Sequence, residues 1–183
     1  MKEALLIIDV QNDYFKNGKM ELKNSEEALE NIKLVLNKFR ENNKEIIFIK
    51  HISNREGAAF FLPDTDGVSI HTEITPLNNE KIIEKSYPNS FRETELLEYL
   101  KIKNIDTLVI TGMMTQMCID STTRAAKDFD YECIVLGDTC ATRDFIFEDN
   151  LVKAEDVQKS FLTALSYYYA KVMITKGYIE TCL

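Results

Sequence analysis

Cys118 is the side chain in this sequence best suited to covalent chemistry. It lies in Thr-Gly-Met-Met-Thr-Gln-Met-Cys-Ile-Asp-Ser-Thr-Thr-Arg-Ala-Ala (111–126), directly after the apolar run Leu108-Val109-Ile110. A strand that ends in a glycine turn and opens a helix places this thiol near a helix N-terminus. There the helix dipole and free backbone N–H groups favour the thiolate. Two further ionisable residues fall at or just past the ends of apolar runs. Asp9 closes Leu5-Leu6-Ile7-Ile8, and Lys85 follows Ile82-Ile83-Glu84. Each has an ordinary alternative reading. A cysteine is often a small buried hydrophobe, an aspartate often caps a turn, and a lysine often solvates a strand edge.

The elements that must carry these residues alternate in type. Ala4–Asp9, Glu45–His51, Lys81–Lys85, Thr107–Thr111, Glu132–Gly137 and Lys171–Thr175 read as strands. Ser25–Asn43, Thr94–Lys103, Gln116–Phe129 and Ala154–Tyr169 read as helices, the first with Ala28, Leu29, Ile32, Val35, Leu36 and Phe39 at helical spacing. The strands are continuous apolar runs, as expected for strands covered on both faces. Repeated β–α units with right-handed crossovers predict a three-layer α/β/α sandwich around a doubly wound, mainly parallel six-stranded sheet, Rossmann-like in layout. In such sheets ligands bind beyond the carboxyl ends of the strands, at the switch point, and Asp9, Lys85 and Cys118 all map to that edge.

With 183 residues, 45% hydrophobic and 28% charged, the whole chain, 1–183, reads as one domain with an ordinary core. A net charge of −8 argues against a nucleic-acid partner, which requires clustered Lys and Arg. No apolar stretch reaches the roughly 20 residues that span a bilayer, and the N-terminus carries no signal-peptide pattern. Cys118, Cys133, Cys140 and Cys182 show neither metal-type pairing nor dense disulfide spacing, so reduced thiols and a cytoplasmic location are expected.

Three segments together resemble a known family. Ile-Ile-Asp-Val-Gln-Asn-Asp-Tyr-Phe around Asp9, Glu-Lys-Ser-Tyr-Pro-Asn-Ser-Phe around Lys85 and Thr-Gly-Met-Met-Thr-Gln-Met-Cys-Ile-Asp around Cys118 are similar, in order and spacing, to the isochorismatase-like cysteine hydrolases. That superfamily includes nicotinamidases and carbamoylsarcosine amidase. The resemblance runs from about Ala4 to Thr175. It implies the isochorismatase-like hydrolase fold, an Asp9–Lys85–Cys118 triad, an oxyanion hole of the Met114 and Cys118 backbone N–H groups, and a cis peptide between Met113 and Met114. It also implies a homo-oligomer, for which the run Tyr167-Tyr168-Tyr169 offers a core or subunit-contact surface. The chemistry is coherent: a carboxylate takes the thiol proton, and an ammonium between them stabilises both anions.

The sequence also departs from named members. The Asp-x-His pair of metal-dependent nicotinamidases is replaced by Ile49-Lys50-His51, and His71 is the only other histidine, so no metal and no cofactor are expected. True isochorismatases lack the cysteine, so Cys118 argues for acyl transfer on a small amide or carbamoyl substrate. Two alternatives stand beside it: vinyl-ether hydrolysis with an incidental Cys118, and a non-enzymatic binding module on the same fold. Residues 52–80, low in periodicity, form the expected specificity loop, with Phe60 and Phe61 walling a pocket and Arg55 available to a substrate carboxylate. Gln11, Tyr14 and Asn89 complete the expected pocket lining.

Overall fold

In the computed structural model, which describes residues 2–181, apolar runs are central strands and the periodic segments are their covering helices. In chain order these are β1 (Glu3–Ile8), α1 (Ser25–Glu41), β2 (Glu45–His51), β3 (Lys81–Lys85), α2 (Leu96–Ile102), β4 (Thr107–Met113), α3 (Asp120–Asp128) and β5 (Glu132–Ala141). A short hairpin of β6 (Phe145–Phe147) and β7 (Asn150–Val152) follows, then α4 (Ala154–Tyr168), β8 (Lys171–Met173) and α5 (Thr175–Thr181). The main sheet has six strands in the order β3-β2-β1-β4-β5-β8, and every pairing in it is parallel.

Alternation along each strand divides the core in two. Leu5, Ile7, Ile46, Phe48 and Val109 face α1 and α5, where Leu29, Ile32, Val35, Leu36, Phe39 and Tyr178 meet them. Leu6, Ile8, Ile47, Ile49, Leu108 and Ile110 face the other way, onto Leu96, Leu100, Ala126 and Leu165 of α2, α3 and α4. Apolar side chains on both faces explain why these strands read as continuous runs. Helices on both faces make the expected three-layer, doubly wound sandwich. Its switch point lies between β1 and β4, where successive connections leave in opposite directions.

Four features lie outside the sequence-based expectation. The helix after β4 begins with a single π-turn, Thr115–Ile119, before α3 proper. β5 runs to Ala141 instead of ending at Gly137 because its pairing with β4 slips: Ile110 meets Val135 but Gly112 meets Cys140. The β6–β7 hairpin is short and outward-facing, and carries no core periodicity. The residues after Met173 turn into α5 rather than extending β8. Tyr167 and Tyr168 are exposed rather than core, while Tyr169 packs under Arg124, whose guanidinium lies 4.4 Å from its ring centroid. Cys182 lies outside the described residues.

Gly112 of β4 sits directly beside Ile8 of β1. Its φ is +119°, and a Cβ there would lie 2.0 Å from the Ile8 carbonyl oxygen. Gly57 also has positive φ, +73°, but meets nothing within 4 Å. The two separate strain from collision. Gly112→Ala should lower the unfolding free energy by ~3 kcal/mol or more, whereas Gly57→Ala should lower it by only ~1 kcal/mol. Urea titrations of the two variants test this, and equal losses would refute the close approach.

Candidate active site

The carboxyl ends of β1, β2, β3 and β4 converge on one buried ammonium. Lys85, the last residue of β3, is 3% exposed and donates from Nζ to Asp9 Oδ2 at 2.7 Å. The same nitrogen lies 3.1 Å from His51 Nδ1, 3.1 Å from the Tyr87 carbonyl and 3.2 Å from Cys118 Sγ. His51 is the direct register partner of Lys85 across β2 and β3, which brings the two together. Burial pulls the Lys85 pKa down, but the charge and hydrogen bond of Asp9, joined by Cys118, together more than offset it, so the pKa lies above its ordinary value and the ammonium persists.

Asp9 follows β1 and leaves the strand in the left-handed region, φ 54°, with its N–H held by the Ile49 carbonyl at 3.0 Å. Aspartate tolerates that conformation better than the β-branched residues before it. Its carboxylate is fully buried, and Oδ1 has no hydrogen-bond partner among the described residues. An orphan carboxylate oxygen beside a thiol is a free proton acceptor.

Cys118 lies inside the π-turn rather than on the free first turn of a helix, and it is 5% exposed. Burial, followed by the Asp9 charge, drives its pKa up, with Lys85 opposing. The resting sulfur is therefore a thiol, which corrects the thiolate expected from the helix dipole. Desolvation outweighs the few aligned peptides of a single turn. Cys133 and Cys140 are also buried thiols, each pushed to about 12 mainly by desolvation, and neither lies against the ammonium. Next to Cys118, the Met113–Met114 peptide bond is cis.

The turn is anchored from behind. Thr115 Oγ1 donates to Gln158 Oε1 of α4, and Gln158 Nε2 donates to the Gly137 and Cys140 carbonyls at 3.0 Å each. Thr142 Oγ1 donates to Gln116 Oε1 at 2.6 Å. These contacts depend on the extension of β5 past its slip, so nothing in the local sequence signals them.

In front of Cys118 lies a cavity of about 280 Å³, lined by Tyr14, Phe60, Pro88, Met114 and Met117 and by a polar wall of His51, Ser53, Asn54 and Arg55. Of the expected lining residues, Tyr14, Arg55 and Phe60 reach it. The other three do not. Gln11 is fully buried and braces the end of β2: its Nε2 donates to the His51 and Val68 carbonyls, and its Oε1 accepts from His51 N at 2.7 Å. Phe61 is 1% exposed and packs behind Tyr14, ring centroids 4.6 Å apart, with its N–H on Asp13 Oδ2 at 2.7 Å. Asn89 Oδ1 accepts from Phe91 N at 2.9 Å and caps a turn. His71 accepts from Glu73 N on its own loop and packs against Phe15.

Asp9, His51 and Cys118 each offer a possible metal-ligand atom within 4.8 Å of the others. All three already face one cation, the Lys85 ammonium, which sits between them. A divalent ion would have to share that space with the ammonium at prohibitive repulsion. The donor set fits a lysine, not a metal.

His51 carries a consequence for stability. Burial, with Lys85 and Arg55 opposing a second positive charge, lowers its pKa from 6.5 to about 4. The unfolded chain then binds the extra proton first, so stability is full above pH 6.5 and falls as pH drops toward 4. The loss corresponds to ~3 kcal/mol. Chemical denaturation across pH 4–7 should show that slope, and His51→Gln should flatten it. An unchanged slope in the variant would refute a neutral, desolvated imidazole.

Comparison with known proteins identifies the family. Residues 3–176 match the isochorismatase domain. The isochorismatase family protein YddQ of Bacillus subtilis is 43% identical over 180 residues, covering 98% of this chain and 100% of that one. A crystal structure from Oleispira antarctica, described as an isochorismatase hydrolase, superposes with a TM-score of 0.94 at 41% identity, covering 98% of this chain and 96% of that one. The ureidoacrylate amidohydrolase RutB of Cronobacter sakazakii is 25% identical over 170 residues, covering 75% of this chain and 73% of that one. The buried Asp–Lys–Cys cluster at the carboxyl edge of the sheet thus lies within a full-length family match, and the chain belongs to the isochorismatase family of hydrolases.

Proposed function

We propose that the protein is a metal-independent cysteine hydrolase that cleaves the C–N bond of a small amide or carbamoyl compound through a thioester. One observation carries the reading: the Lys85 ammonium bonds Asp9 and Cys118 together at the floor of a cavity, while Asp9 Oδ1 is unpaired. The amidohydrolase name of the Cronobacter relative supports the same class.

The steps follow from the geometry. As Cys118 Sγ attacks the carbonyl carbon, its proton passes to Asp9, so no free thiolate has to form in a buried site. The backbone N–H groups of Met114 and Cys118 receive the tetrahedral oxyanion. The C–N bond then breaks, and Asp9 returns the proton to the departing amine. Asp9 next takes a proton from water as its oxygen attacks the thioester, and the sulfur leaves and is reprotonated. One amide and one water give one acid and one amine. Lys85 keeps its charge throughout and holds carboxylate and sulfur in register.

We further propose a cytoplasmic homo-oligomer, on the free cysteines and on the family resemblance. Among the described helices none is long and apolar enough to cross a membrane. Ile146, Phe147 and Leu151 of the hairpin and Tyr167 and Tyr168 at the far end of α4 are exposed apolar side chains that contact with a second copy would cover. Sedimentation at micromolar concentration should give at least a dimer, and a monomer would refute the assembly.

Ammonia release from a panel of small amides tests the chemistry. Cys118→Ala should reduce kcat/KM by at least ~1000-fold, and Asp9→Asn by a comparable factor. A wild-type reaction should accumulate a thioester trappable with hydroxylamine. A Cys118→Ala variant that retains most of its turnover would instead favour ether hydrolysis by proton transfer. No turnover by the wild type on any amide or vinyl ether would favour a binding module.

A further inference from the structure

Five arginines occur in the chain, and one of them stands apart. Arg40 pairs with Glu80, Arg92 lies over the Tyr87 ring, Arg124 pairs with Asp120, and Arg143 lies over the Phe145 ring. The Arg55 guanidinium has no carboxylate, hydrogen-bond acceptor or aromatic ring as partner among the described residues. It also lines the cavity in front of Cys118, where it is the only charged lining residue. The chain has 30 acidic and 22 basic side chains, yet no carboxylate lines this cavity.

The neighbouring His51 is also set as a donor. Lys85 Nζ is an ammonium without a lone pair, so a hydrogen on His51 Nδ1, 3.1 Å away, would point at a cation, and Nδ1 faces it with its lone pair. A neutral imidazole that accepts at Nδ1 carries its own hydrogen on Nε2. Nε2 has no protein acceptor among the described residues, and the ring lines the cavity. The end of β2 and the segment leaving it thus offer an imidazole N–H and a guanidinium to whatever occupies the cavity, whose lining also includes the apolar Phe60, Pro88, Met114 and Met117.

We infer that His51 and Arg55 form a carboxylate subsite, and that the substrate is a small amide that itself carries a carboxylate. This rests on the amidase reading and narrows it. The Arg55 guanidinium pairs with the carboxylate through charge-assisted, fork-shaped hydrogen bonds, and His51 Nε2–H holds the same end of the molecule. The amide carbon is then left at Cys118. The cavity volume of about 280 Å³ suits a molecule of this size.

Succinamate and succinamide are near-isosteric probes that differ in charge, and binding can be read without turnover. In a Cys118→Ala background, calorimetry should give succinamate at least ~10-fold tighter binding than succinamide, a charge-assisted difference. Adding Arg55→Gln should bring the two within ~2-fold, while Arg55→Lys should keep part of the preference. With only two histidines in the chain, ¹⁵N-histidine spectra should show the Nε2–H tautomer for His51, and its Nε2 resonance should move when succinamate binds. Equal or tighter binding of succinamide, failure of both probes to bind, a preference unaffected by Arg55→Gln, or an Nδ1–H tautomer would each overturn the subsite. The amidase reading fails separately. A carboxylate preference in binding with no ammonia released by the wild type would support the subsite and sink the amidase. Ammonia from both probes at equal kcat/KM would do the reverse.

Discussion

A buried ammonium organises this molecule. A charge removed from water is tolerable only when acceptors surround it, and Lys85 takes one from each neighbouring segment. Asp9 comes from the end of β1, His51 from the end of β2, the Tyr87 carbonyl from just past β3, and Cys118 from the turn after β4. The order β3-β2-β1-β4 brings these ends side by side, so sheet topology and charge satisfaction solve one problem together. Displacing any of the four strands by one residue would turn its contribution away from the cation.

Holding the sulfur near that cation requires an unusual approach of backbones. β4 can pass the Ile8 carbonyl only because residue 112 has no Cβ. The slip in β5 then sets Cys140 and Ala141 beside Gly112 and Met113 and carries Thr142 past the end of β4, where Thr142 and the Gln158 amide reach the π-turn. The turn bearing Cys118 is thus gripped by β5 and α4 from the side opposite the cavity. That division leaves its front free for a ligand while its position is fixed from the rear.

The sequence carried the sheet and the three residues that meet at the buried cluster, because both rest on signals local in the chain. Runs such as Ile46-Ile47-Phe48-Ile49 announce a strand covered on both faces, and the bounds Glu45–His51 and Lys81–Lys85 agree with the structure. Asp9 and Lys85 are polar residues where such runs stop, and Cys118 follows a glycine turn. The failures arise where side-chain direction or long-range register decides. Gln11 and Asn89 are polar and close in sequence to Asp9 and Lys85, yet each turns into the scaffold to satisfy backbone groups. Phe60 and Phe61 are in ring contact, centroids 5.0 Å apart, yet only Phe60 lines the cavity while Phe61 is buried in the core. The contact of His51 with the ammonium depends on a register between strands 34 residues apart.

The state of the sulfur shows how burial changes the chemistry that a motif suggests. Read along the chain, Cys118 resembles a thiol primed by a helix start; in the fold, desolvation and the Asp9 charge together keep it protonated. Lys85 does not reverse that balance, because its charge is spent chiefly on Asp9, 2.7 Å away against 3.2 Å to the sulfur. On the proposed reading the thiol loses its proton only as a carbonyl carbon arrives to take the electron pair. Nucleophilicity is then conditional on a substrate that fits the cavity, and a reagent that does not reach the Asp9 side meets an ordinary buried thiol. The same arrangement asks Asp9 to give the proton back twice, once to the amine and once to the sulfur. A carboxylate with one oxygen anchored on an ammonium and the other left without a partner is built for that traffic.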